Sequence, residues 1–179
     1  MDTLFPVKDK PLSGAVISPC GQYRYTLDRL WRTGLPTALF IMLNPSTADA
    51  TVDDATIRRC RYFATREGCG GLTVVNLYAL RSTDPAALLT HPDPVGPENA
   101  AYVGAALDRN PSLVVAAWGS HRFAADQARD TTLAVERILG RRGLRLKCLG
   151  TTKDGSPRHP SRLPNNAPLI TYTRRKAAA

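Results

Sequence analysis

The chain has 179 residues, 43% of them hydrophobic, and a formal net charge of +9 from 24 Lys and Arg against 15 Asp and Glu. That size suits one domain, 1–179, whose core folds without disulfides or a structural metal. No run approaches the roughly 18–20 uncharged apolar residues of a membrane span, and MDTLFPVKDKPLSG at the start lacks the basic flank and apolar centre of a signal peptide.

A soluble, cytoplasmic protein is therefore expected. The positive charge favours a polyanionic partner, because neutralising phosphates releases counterions; an Arg-rich surface without a partner is the plain alternative. Cys20, Cys60, Cys69 and Cys148 form no CxxC pair and no ligand spacing with His. Free or buried thiols are expected in a reducing compartment, with no metal site.

Residues 1–36 read as an irregular extension followed by a hairpin. Ala15-Val16-Ile17 is a short apolar run, Pro19-Cys20-Gly21 supplies turn chemistry, and Tyr23-Arg24-Tyr25-Thr26-Leu27 alternates like a half-exposed strand. An α/β core follows over 37–170. Its first three apolar runs are 38–43, 72–75 and 113–117, short and nearly free of polar residues, as in strands of a parallel sheet buried on both faces. The fourth, 144–149, alternates with Arg145 and Lys147 and is expected at an edge. Between them, Thr51 or Asp53 caps a helix running to about Arg66, Pro97 opens a helix over 97–109, and a third helix spans 121–140. The last segment, 171–179, reads as a disordered basic tail around Arg174-Arg175-Lys176.

Strand–helix alternation implies right-handed crossovers with helices on both faces, and ligands then sit outside the carboxyl ends of the strands. Asn44-Pro45-Ser46 and Asp49 follow the first strand, Asn76 ends the second, Trp118-Gly119-Ser120-His121 follows the third, and Arg158-His159-Pro160-Ser161-Arg162-Leu163 follows the fourth after a long loop. Each piece alone has an ordinary structural explanation: a turn for Asn-Pro, backbone bonding for a strand-end Asn, core plus turn for Trp-Gly. No GxSxG or GxxxxGK[ST] occurs, which excludes the usual serine-hydrolase and P-loop readings.

Together, in this order, the motifs resemble the uracil-DNA glycosylase superfamily. Met42-Leu43-Asn44-Pro45 is similar to the Gly-Ile-Asn-Pro of the mismatch-specific uracil/thymine branch. Gly71-Leu72-Thr73-Val74-Val75-Asn76, Trp118-Gly119-Ser120-His121 and His159-Pro160-Ser161-Arg162-Leu163 resemble motifs of the classical branch. The chain also looks like a small bacterial and phage domain family of unknown function, sharing Leu43-Asn44-Pro45-Ser46 and the Lys153-Asp154-Gly155…His159-Pro160 end. The glycosylase resemblance implies a three-layer α/β sandwich with a four-stranded parallel sheet, order 2-1-3-4, preceded by the hairpin. Some superfamily members hold a four-cysteine iron–sulfur cluster; the cysteine spacing here does not match one.

The resemblance implies a DNA N-glycosylase that flips and excises a damaged, mismatched or modified base, acting as a monomer with no cofactor. Asn44 would place the water and His159 would stabilise the departing base, with Asn76, Met42, Leu43 and Tyr78 around that base. Pro45, Ser46, Trp118, Ser120, His121, Arg158, Ser161 and Arg162 would contact DNA, and Leu163 would wedge into the stack. Met42 stands where the family has Gly, and no ring closely follows the first motif; Tyr62 and Phe63 come late, which leaves Tyr78 as stacker. Asp53 and Asp54 read first as helix caps, with an acceptor for a sugar, base or metal as the alternative. Asp49 stays open between these readings, and Lys153 is an auxiliary candidate. Two rivals remain: a non-catalytic protein that binds a modified base in phage defence or DNA modification, and a hydrolase of free nucleosides. A basic stripe beside His159 would favour DNA, whereas a closed pocket with an acidic mouth would favour the small molecule.

Overall fold

The computed structural model describes residues 13–46 and 53–174. In chain order the elements are β1 (Gly14–Ile17), β2 (Arg24–Leu30), β3 (Thr37–Met42), α1 (Ala55–Arg66), β4 (Gly71–Asn76), α2 (Ala87–Thr90), α3 (Asn99–Asp108), β5 (Leu113–Ala116), α4 (Ala125–Arg141), β6 (Lys147–Cys148) and β7 (Ile170–Thr171). The class is α/β.

The sheet corrects the expectation of four parallel strands. It has seven strands, in the order β1-β2-β4-β3-β5-β6-β7, and it is mixed. β4, β3, β5 and β6 run parallel to one another, while β1–β2, β2–β4 and β6–β7 pair antiparallel. The hairpin is the reason. β2 extends to Leu30 and lies against the open edge of β4, from Leu27 opposite Val74 to Leu30 opposite Gly71. An uncovered strand edge leaves a row of backbone donors and acceptors unmet, and β2 satisfies it. The hairpin read as standing ahead of the α/β core is thus part of its sheet. At the other side β6 is only two residues long, and β7 covers it, so the edge position expected for 144–149 belongs to β7. The tail boundary set at 171 falls inside β7; Tyr172 beyond it is buried and stacks edge-on against Trp118 with centroids 5.6 Å apart. Residues 175–179 lie outside the described residues.

Two apolar layers flank the sheet. Ile57, Cys60, Phe63 and Ala64 of α1 pack on one face with Phe40, Met42, Val74 and Val115. Ala106 and Leu107 of α3 and Val135 and Leu139 of α4 pack on the other with Leu39, Ile41, Val75 and Val114. Alternation along β3 sends Phe40 and Met42 to one layer and Leu39 and Ile41 to the other, as a strand buried on both faces requires. Among the described residues, no helix is long and apolar enough to cross a membrane.

α1 begins where Asp54, in extended conformation, accepts the Ile57 N–H at 2.8 Å. Asp53 does not cap; it pairs with Arg29 at 2.6 Å. The helix ends before Gly68, whose φ of 81° is a conformation that glycine adopts at little cost. Replacing Asp54 with Ala should lower stability by about 1 kcal/mol in urea unfolding, whereas Asn, an equally good capping residue, should cost far less.

Candidate functional site

The parallel ladder runs past the named strands. Leu77 N–H donates to the Met42 carbonyl at 2.8 Å, Tyr78 N–H to Leu43 at 3.0 Å, and Ala117 N–H to Ile41 at 2.8 Å. The chain segments carrying Asn44, Asn76 and Trp118 therefore leave the sheet side by side, at the carboxyl ends of β3, β4 and β5. The loop after β6 closes the fourth side. A cleft of about 610 Å³ lies there. Of the residues singled out from the sequence, Met42, Leu43, Asn44, Ser46, Asp54, Asn76, Trp118, His121, His159, Ser161 and Arg162 line it.

Asn76 forms part of the wall with a side chain only 1% exposed, and neither atom of its amide has a hydrogen-bond partner among the described residues. Leaving a buried amide unmet costs about 1–3 kcal/mol per group. Its backbone is fixed. Asn99 of α3, itself buried, donates from its amide to the carbonyls of Asn76 and Leu77 at 3.0 and 3.1 Å. The amide thus waits in a preset position with one donor group and one acceptor.

His159 is half-buried at the entry to a single 3-10 turn over 160–162. The Ser161 N–H donates to its Nδ1 at 3.3 Å, and the Ser161 hydroxyl lies 2.9 Å from the same nitrogen. Nδ1 is therefore the acceptor and the ring proton sits on Nε2. Burial holds the imidazole pKa below its ordinary value; the Asp54 carboxylate partly opposes this and His121 adds to it. At neutral pH the ring is a neutral Nε2–H donor.

Asn44 is committed differently. Its amide nitrogen donates to the Ser82 carbonyl at 2.9 Å and to Pro45 at 3.1 Å, and reaches Leu80 at 3.5 Å. It ties the end of β3 to the loop after β4. Ser120 is likewise structural: its hydroxyl donates to Asp154 of the loop after β6, which also accepts from the Thr152 hydroxyl and the Ser156 N–H. Those bonds, Ser120's first, hold the Asp154 carboxyl well below the usual carboxylate range. Together they latch the loop that leads to His159.

Other expected residues lie elsewhere. Tyr78 cannot stack on a base in the cleft: it is buried in the core on the α3 and α4 side, its hydroxyl donating to the Phe123 carbonyl at 3.4 Å. Leu163 packs against the α1 layer rather than standing out as a wedge, and its carbonyl accepts from Arg59 at 2.7 Å. Pro45 is buried, Arg158 and Lys153 are exposed, and none of the three is among the residues lining the cleft. Asp49 and Thr51 lie outside the described residues, and among the described residues no cluster of three His, Cys, Asp or Glu could hold a metal ion.

Sequence reading missed Arg24, Thr56, Ser82, Thr83 and Pro85, all of which line the cleft. Ser82-Thr83-Asp84-Pro85 was open to discovery, being a turn-rich run just past a parallel strand. Arg24 was not, because it entered through the hairpin. It is 3% exposed, and burial pushes its pKa down to about 10 against the opposing pull of Asp54, so it stays cationic at neutral pH.

The chain belongs to the family described as protein of unknown function (DUF1643), whose model matches residues 24–161. No curated protein and no solved structure matches the chain. The matched span begins at Arg24 and ends at Ser161, both of them in the wall of the cleft.

Proposed function

We propose that this chain is a DNA N-glycosylase-like hydrolase, which takes a base flipped out of the strand into the cleft and cleaves its N-glycosidic bond. The observation that carries the reading is Asn76, a buried amide with both atoms unmet among the described residues, in the wall of a cleft that also holds a neutral His159. An amide so held pairs with the edge of a base, and a neutral imidazole donor suits the negative charge that develops on a departing base. The motifs after four separate strands line one cleft, in keeping with the glycosylase resemblance.

A polyanionic partner fits the rim. Arg59 of α1 reaches the segment after the 160–162 turn, donating to the Leu163 carbonyl at 2.7 Å; Arg162 stands in that turn and Arg158 just before it, while Arg58 and Arg61 are exposed elsewhere on α1. Among the described residues none of these five is ion-paired to a carboxylate. Asp54 is the single carboxylate among the described residues lining the cleft, where the buried Arg24 also stands.

The test is a panel of oligonucleotides bearing uracil, mismatches, deaminated purines and hypermodified pyrimidines, assayed for abasic sites and for binding across salt concentrations. Binding should weaken as salt rises, and Arg158→Ala with Arg162→Ala should flatten the log–log slope by about one unit for each phosphate that is no longer neutralised. Salt-independent binding, or none at low salt, would exclude a nucleic-acid partner.

A second reading, base binding without excision, is favoured by Asn44. The residue that the resemblance would have hold the water spends its amide nitrogen on backbone carbonyls, and an amide cannot take a proton. Tight, salt-sensitive binding of one panel member without abasic sites would establish that reading instead.

A further inference from the structure

Hydrolysis of an N-glycosidic bond needs a group that can receive a proton from the attacking water. Asn44 cannot serve, and among the described residues lining the cleft one carboxylate can. Asp54 lines the same cleft as Asn76 and His159, and no other carboxylate does so among the described residues. Its capping bond to Ile57 N–H uses Oδ1 and fixes the side chain, while Oδ2 accepts no hydrogen bond from a described residue. The ligand signal at this site is independent of Asp54, since it comes from the unmet buried amide of Asn76 in the same cleft.

We propose that Asp54, and not Asn44, is the catalytic base, a role that rests on the glycosylase reading. The carboxylate accepts one proton from a water whose oxygen attacks the anomeric carbon. The C–N bond breaks, its electron pair leaves with the base, and the His159 Nε2–H stabilises the resulting anion. The base then takes up a proton, and Asp54 returns its own to solvent. Before the water bonds, the negative carboxylate also faces the sugar as it becomes cationic, which stabilises the transition state over the ground state. Asn44 is a positioning residue that keeps the two neighbouring loops together.

The test uses the full chain and two oligonucleotides that need no knowledge of the natural base. One carries a neutral tetrahydrofuran abasic site, the other a cationic pyrrolidine in its place, mimicking the charged sugar. The wild-type protein should bind the pyrrolidine oligonucleotide at least ~10-fold more tightly, in keeping with the usual preference for transition-state mimics. Asp54→Asn keeps the cap and hence the fold, and should abolish that preference without weakening binding to the neutral oligonucleotide. On any base that the panel shows to be excised, the same variant should lose about 10²–10⁴-fold in single-turnover rate, the usual contribution of a general base. Equal binding of both oligonucleotides by the wild type, or a preference that survives Asp54→Asn, would overturn the role of Asp54 while leaving the glycosylase reading intact. Failure to bind either oligonucleotide above an undamaged control would overturn both.

Discussion

Replacing His159 with Ala should lower the single-turnover rate of base excision by about 10²–10³-fold, the usual loss for one preorganised donor. Binding should change little, because the Nε2–H acts on charge that appears only as the bond breaks. Stopped reactions with enzyme in excess, set beside equilibrium binding to the same oligonucleotide, separate the two effects. If the binding constant falls by as much as the rate, His159 reads the ground state instead. The pH dependence gives a second check. Burial, the largest influence on His159, lowers its folded pKa. As pH falls through the ordinary histidine value of about 6.5, the unfolded chain takes up a proton that the folded site refuses. The contribution of His159 to stability is therefore present above that value and declines below it. The ring in the folded protein stays neutral through the same interval, so the step that depends on His159 should persist to a lower pH than an exposed histidine would allow.

Asn76 should show opposite effects on function and on fold. Replacing it with Leu, close to it in shape, removes two buried polar atoms that have no partner among the described residues and sets an apolar side chain between packed neighbours. Thermal and urea unfolding should show a gain of about 1–3 kcal/mol, the cost relieved by removing an unmet buried group. Binding of any flipped base should be lost together with excision, since the edge-reading amide is gone. A variant that is destabilised and still binds would make Asn76 a packing residue. Stability given up at one position in exchange for recognition is the usual mark of a working site.

The central part of the fold was open to reading because its signal is local. Runs such as 38–43 and 72–75 are nearly free of polar residues, and that pattern belongs to strands covered on both faces. The rule that parallel sheets gather ligands at their carboxyl ends then pointed to Asn44, Asn76, Trp118 and His159, which do line one cleft. The two ends of the sheet were not legible. Whether Tyr23-Arg24-Tyr25-Thr26-Leu27 stands apart or joins β4 depends on a pairing across more than forty residues, for example Leu27 with Val74, which no periodicity encodes. Arg24 was missed with it. β7 is two residues long and too short to carry a pattern. For single side chains the limit was different: nothing in the sequence distinguishes an Asn whose amide is spent on carbonyls, as in Asn44, from one whose amide is left open, as in Asn76. The partners decide the role, and those partners come from distant loops. Asp54 shows that a capping residue can also face a cleft, so a structural explanation for a side chain does not exhaust it.

β1 covers the outer edge of β2, and its own register is broken between Val16 and Ile17. A chain shortened to begin at Arg24 would keep the whole span that the family model matches. It would nevertheless turn β2 into a bare seven-residue margin, open to strand pairing with a second molecule, where the irregular four-residue β1 is a poor template for such growth. β1, ahead of the matched span, therefore guards that margin against self-association, and it braces the strand that carries Arg24 into the cleft.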